Sequence, residues 1–172
     1  MAGFLFAAAL RYTGVISHMN RTRKSGFTLL EVLVVVAIVG IMAAVAIYSL
    51  NITRAGNRDS KRVSDISVIR ASLTQFWLQK ASYPQSDSVD LSRPGANADK
   101  LTIAGFVPQD QQDAVVFLQQ VPVGPSAGEY YRYHGSPQGY SLTFTTERQT
   151  AYGAVGTWYA HSDGVDKEDV EK

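Results

Sequence analysis

Glu31 stands five residues after Gly26 and leads directly into a run of 22 uncharged residues, Val32 to Thr53. As a helix rising about 1.5 Å per residue, that run extends roughly 33 Å, enough to cross a bilayer. A charge deep in such a span costs about 2.5 to 3.5 kcal/mol, so a carboxylate at its mouth calls for a partner. A cut after Gly26 makes Glu31 the fifth residue of the shortened chain, on the first turn of a helix whose amino end carries positive partial charge. The same cut gives Phe27 a new cationic amine. Gly26 and Phe27 as a scission point, and Glu31 as a carboxylate able to pair with an amine, are the chemistry these residue types offer at this spacing.

Little else in the chain could react. His18, His134 and His161 are far apart, cysteine is absent, and no phosphate-binding glycine loop, nucleophile elbow or zinc spacing occurs. The stretch Asp163-Gly164-Val165-Asp166-Lys167-Glu168-Asp169 concentrates carboxylates. Calcium takes six to eight oxygens from loops of that kind, which makes Asp163 and Asp166 its candidate ligands. Lys167 stands in the middle and the EF-hand spacing is missing, so a solvated acidic stretch is the better reading, and no other cofactor is expected. Tyr130, Tyr131, Tyr133, Tyr140, Phe144, Trp158 and Tyr159 are explained more cheaply as sheet core and subunit interface than as a surface for stacking bases. Arg132 and Arg148 are the only basic residues between Lys100 and Lys167, so no nucleic-acid partner is expected.

The flanks of the apolar run set its orientation. Arg21, Arg23 and Lys24 precede it and residues 1–26 contain no acid, which keeps that side cytoplasmic. Arg54, Arg58, Lys61 and Arg62 follow on the far side, so the asymmetry rests on the leader. A cleaved secretory signal wants an apolar core of about 7 to 15 residues and a small-residue site after it. Ala43-Ala44-Val45-Ala46 imitates the site, but the run is too long and begins at Glu31. A plain signal anchor holding an exported enzyme or binding protein has no use for Glu31.

The stretch Lys24-Ser25-Gly26-Phe27-Thr28-Leu29-Leu30-Glu31, set ahead of its apolar span, resembles the class III signal of the type IV pilin and type II secretion pseudopilin superfamily. The resemblance implies that a prepilin peptidase of the membrane cuts between Gly26 and Phe27 and N-methylates Phe27. Mature subunits would then polymerise at an inner-membrane assembly platform, with pilin-like partners of the same or different kinds. Glu31 would neutralise the terminal amine of a neighbouring subunit, which is how a buried charge is tolerated. The acidic stretch around Asp163 and Asp166 resembles the loop in which major pseudopilins bind calcium. Two departures stand out. Leaders of this family are short and basic, whereas this one has 26 residues and an apolar patch from Phe4 to Leu10; a start at Met19 restores an ordinary leader, so residues 1–18 are read as a start-site overcall, with a genuine long leader as the alternative. Tyr48 occupies a place where many members carry proline, so the helix should run on smoothly, leaving Gly40 as its weakest point.

These residues need elements to hold them. Val63, Ile66, Ile69, Leu73 and Phe76 recur every three or four positions with Lys61, Asp65, Arg70 and Gln75 between them, which is an amphipathic helix continuing the apolar one to about Lys80. Gly56-Asn57 could bend it, and Tyr83-Pro84 should end it. Residues 85–108 read as a connecting loop with a turn at Pro94-Gly95. Asp110 could cap a short helix over Gln111 to Gln120. Tyr130 to His134, Tyr140 to Glu147 and Ala151 to His161 read as strands of a three- or four-stranded antiparallel sheet, with Gly153 and Gly156 weakening the last.

The chain thus divides into a leader, 1–26; a transmembrane and filament-core helix, 27–50; an amphipathic continuation, 51–82; and a globular pilin-like domain, 83–172. The fold class is α+β, a long helix packed on a small antiparallel sheet. After removal of the leader, 146 residues remain, with 12 basic against 15 acidic side chains, so the mature chain is acidic, about −3. Without cysteine no disulfide can close a loop; many type IV pilins pin a carboxy-terminal loop that way, so the resemblance points to a pseudopilin of type II secretion or a minor or atypical pilin, with a type IV pilin serving adhesion, motility or DNA uptake as the runner-up.

Overall fold

The computed structural model describes residues 26–172. The leader's basic residues Arg11, Arg21, Arg23 and Lys24, together with the start at Met19, lie outside the described residues. The chain separates into two units, one reaching to Met42 and one from Ala43 to Lys172. Helix α1, Leu29–Lys80, contributes to both.

In the first unit, Thr28 starts the helix. Its Oγ1 accepts the Glu31 N–H at 3.2 Å, and its carbonyl accepts the Val32 N–H at 3.2 Å. A threonine in that position satisfies one of the amide groups that a helix start leaves without an internal acceptor. Gly40, Tyr48 and the Gly56-Asn57 pair are all helical.

In the second unit the expected apolar face of α1 is the buried one. Ile66, Ile69, Leu73 and Phe76 are buried, Val63 is half-buried, and Lys61 and Gln75 are exposed. Each fully covered Ile, Leu or Phe contributes about 1.5 to 3 kcal/mol. The helix stops at Lys80 because Ala81 turns left-handed, with φ 51°, while its N–H still reaches the Trp77 carbonyl at 2.7 Å. Tyr83-Pro84 follows this stop instead of causing it.

Eight short strands follow: β1 Ser86–Asp90, β2 Lys100–Thr102, β3 Gly105–Val107, β4 Val116–Leu118, β5 Arg132–Gly135, β6 Tyr140–Thr146, β7 Gly156–Ala160 and β8 Val165–Asp166. They form a five-stranded antiparallel sheet in the order β1-β5-β6-β7-β8 and a three-stranded one in the order β3-β2-β4. Alternation along β6 turns Tyr140, Leu142 and Phe144 inward, and the pairs Tyr133 with Leu142 and Phe144 with Trp158 complete the layer against the helix. Tyr131, Tyr133, Tyr140, Phe144 and Trp158 are buried, so most of the aromatic group is core, as expected.

Three expectations are corrected. Residues 85–108 are not a plain loop but contain β1, β2 and β3. No helix spans 111–120: Val116 and Leu118 pair with Thr102 and Leu101, and the Ile103 N–H reaches the Val115 carbonyl at 3.0 Å. The run Val115-Val116-Phe117-Leu118 is β-branched and aromatic, and the exposed edge of β2 gives it a partner that the local capping signal at Asp110 cannot outweigh. The strand read from Ala151 begins only at Gly156, because Thr150 and Gly153 close a tight turn and both glycines take positive φ, 133° and 144°.

Candidate processing and assembly site

Gly26, Phe27 and Thr28 precede the first helical residue, and all three are exposed. The Gly26 to Phe27 bond therefore lies outside the helical hydrogen-bond ladder, in the kind of segment a peptidase can draw into an extended conformation. Among the described residues nothing lies within 4 Å of where a Cβ on Gly26 would stand, so none of them crowds that position. Phe27 is 82% exposed.

Glu31 occupies the third helical position, placed there by the Thr28 cap. Among the described residues no hydrogen bond or ion pair reaches its carboxylate. The favourable field is the helix's own amino end, worth about 0.3 to 1 kcal/mol at an exposed site. Beyond it, Leu29, Val36, Ile41, Met42, Ile47 and Leu50 project exposed apolar side chains, and the helix is long and apolar enough to cross a membrane. The spacing read from the sequence thus brings Gly26, Phe27 and Glu31 together at one helix start, with the carboxylate unpaired among the described residues and the Gly26 to Phe27 segment exposed.

A second cluster lies in the Ala43–Lys172 unit and was not foreseen. The buried carboxylate of Asp59 accepts the backbone N–H of Glu147 at 2.9 Å, that of Arg148 at 2.7 Å, and the Arg62 guanidinium at 2.7 Å. Arg62, also buried, donates in parallel to both oxygens of Glu129, at 2.6 and 2.8 Å, and meets Glu147 at 2.8 Å. Arg58 Nε donates to Glu147 at 2.7 Å. These cations hold the Glu147 carboxyl at about 2, with Arg58 the main cause, and Arg62 lowers Glu129 below the usual carboxylate range. The network clamps α1 to the loops before β5 and after β6. In the sequence Arg58 and Arg62 read only as flanking charge, and Asp59 beside Arg62 at i,i+3 was the sole local hint.

Asp163 and Asp166 do not come together as cation ligands. Asp163 is exposed in the turn between β7 and β8. Asp166 Oδ1 receives the Glu168 N–H at 2.8 Å and faces His161 Nε2 at 3.1 Å, while Oδ2 receives Lys172 Nζ at 2.6 Å. Asp169 accepts from the Ser141 hydroxyl at 2.8 Å, and Lys167 Nζ donates to the Thr157 carbonyl at 2.7 Å and lies 3.5 Å from the centre of the Trp158 ring. Calcium wants six to eight free oxygens, and here both oxygens of Asp166 already face donors, so that carboxylate does not fit the ion. Among the described residues no group of three metal-binding side chains occurs. Asp163 and Lys167 to Asp169 are exposed, as the solvated reading expects, while beyond them Lys172 O accepts the N–H groups of Tyr140 and Ser162, each at 3.3 Å.

Comparison with known proteins agrees with the helix start. The family model for the prokaryotic N-terminal methylation motif matches residues 21–47, which contain Gly26, Phe27 and Glu31. The type II secretion system core protein G of Klebsiella michiganensis is 27% identical over 150 residues, 81% of this chain and 96% of that protein. The protein of the same name from Dickeya chrysanthemi is 30% identical over 108 residues, 63% of this chain and 67% of its own length. The type IV major pilin protein PilE1 of Neisseria gonorrhoeae is 30% identical over 79 residues, 46% of this chain and 36% of that pilin. No solved structure matches the chain.

Proposed function

The chain belongs to the superfamily of type IV pilins and type II secretion pseudopilins, and from that premise we propose that it is a structural subunit of a type II secretion pseudopilus. The observation that carries the choice within the superfamily is coverage. Likeness to core protein G extends over 81% of this chain and 96% of the relative, whereas likeness to the pilin stops at 46% and 36%.

In this reading the leader stays cytoplasmic, the apolar half of α1 anchors the subunit in a bacterial inner membrane, and the β-rich domain faces the periplasm. A prepilin peptidase cuts the accessible bond after Gly26 and methylates the Phe27 amine. The subunit then leaves the bilayer for a filament built from pilin-like subunits, its apolar side chains exchanging lipid for neighbouring helices. Glu31, unpaired among the described residues, meets the amine of a neighbour and fixes axial register. The chain is a building block, not an enzyme, and the work of extraction falls to a separate motor.

Mass spectrometry of the protein purified from its membrane tests the processing step. The expected amino terminus is methylated Phe27, and an uncut chain or a cut after Ala46 overturns the assignment. Type IV pilus assembly is the second reading, favoured by the pilin likeness. Deleting the gene separates the two: loss of protein export with surface fibres retained supports secretion, and the reverse supports a pilus.

A further inference from the structure

We propose that the acidic segment at the end of β8 carries its own cation: the Lys172 ammonium sits between Asp166 and Glu168, where an acid-rich segment would otherwise take a divalent metal, and the domain closes without one. Lys172 Nζ lies 2.6 Å from Asp166 Oδ2 and 2.7 Å from Glu168 Oε2, so one ammonium bridges two carboxylates. Charge-assisted bonds of that length are stronger than neutral ones and leave few oxygen lone pairs for another cation.

The other side of Asp166 is also taken. His161 is fully buried, its Nδ1 lies 3.0 Å from the Tyr140 carbonyl, and its Nε2 lies 3.1 Å from Asp166 Oδ1. Asp166 is therefore held between the Lys172 ammonium and the His161 ring, and a divalent ion could enter only by displacing one of them.

The backbone seats the lysine independently of its charge. Lys172 O receives N–H groups from the start of β6 and from Ser162, and Gly139 makes the approach possible. A Cβ on Gly139 would fall 2.7 to 2.9 Å from Lys172 backbone atoms, closer than packed atoms allow. The segment carrying the ammonium is thus fitted against the sheet, with a glycine where the two backbones meet.

Thermal unfolding of the full chain in detergent, in millimolar calcium chloride and separately in a chelator, tests this. The expected Tm is the same in both for the wild type. K172Q should lower it by about 2–4 °C in either condition, and K172R should restore most of the loss. A wild-type Tm that rises with calcium and falls with chelator overturns the proposal, as does a K172Q chain that melts with the wild type. Should K172Q fail to fold, calorimetric titration of calcium chloride into the wild-type protein still decides. No binding heat is expected, and saturable binding below millimolar calcium overturns the proposal.

Discussion

At the scale of single residues, local and distant information part company. The position of Gly26, Phe27 and Glu31 at one helix start was legible because it depends on a single stretch of chain, and the Thr28 cap that places Glu31 lies within it too. The Arg62 network was not, because its partner Glu129 is 67 residues away and only the fold brings the two together. Glu31→Gln keeps the side chain's shape and removes its charge. Processing at Gly26 should persist while filaments fail to form, and electron microscopy of fibres from the E31Q strain checks it. Glu147 carries a pH prediction. Its folded carboxyl, near 2 against an ordinary 4.5, is depressed, so the stabilisation it lends is complete above about 4.5 and is lost as pH falls toward 2. Urea midpoints should therefore decline across that window, and the E147Q chain should start lower at neutral pH and decline less.

Secondary elements were legible in proportion to their length and periodicity. The amphipathic face of α1 could be named residue by residue because four turns repeat one pattern, and β6 because it alternates over seven residues. The three-residue strands β2, β3 and β4 carry too few positions for any period, and β4 exists because β2 offers it an edge. The end of α1 near Lys80 was legible, but its cause was assigned to Tyr83-Pro84 instead of to Ala81, for a related reason. Proline announces itself in sequence, whereas a left-handed alanine does not. Ala81 at φ 51° holds a conformation that glycine takes without the steric cost of a Cβ. Ala81→Gly should accordingly stabilise the domain by about 1 kcal/mol, read as a higher urea midpoint with an unchanged slope. A lower midpoint would mean that the Ala81 side chain contributes more than its backbone costs.

For the whole molecule, the sequence specified the α+β class, a long helix packed on a small antiparallel sheet, but undercounted the strands. It read the acidic stretch from Asp163 to Asp169 as solvated, and much of it is exposed, but Asp166 and Asp169 are also tied down by Lys172 and Ser141. The exposed apolar side chains between Leu29 and Leu50 bear on how a polymer of such subunits behaves. Their transfer from lipid or from a helix bundle into water costs more than about 20 kcal/mol in sum, at the usual 1.5 kcal/mol or more for each large side chain. The aqueous phase is therefore closed to the lone subunit. Detached filaments should hold their length on dilution into buffer for as long as they are watched by light scattering, and shorten only when vesicles or detergent are supplied. A subunit that leaves an end needs somewhere oily to go, so turnover is confined to the place where the fibre meets the bilayer.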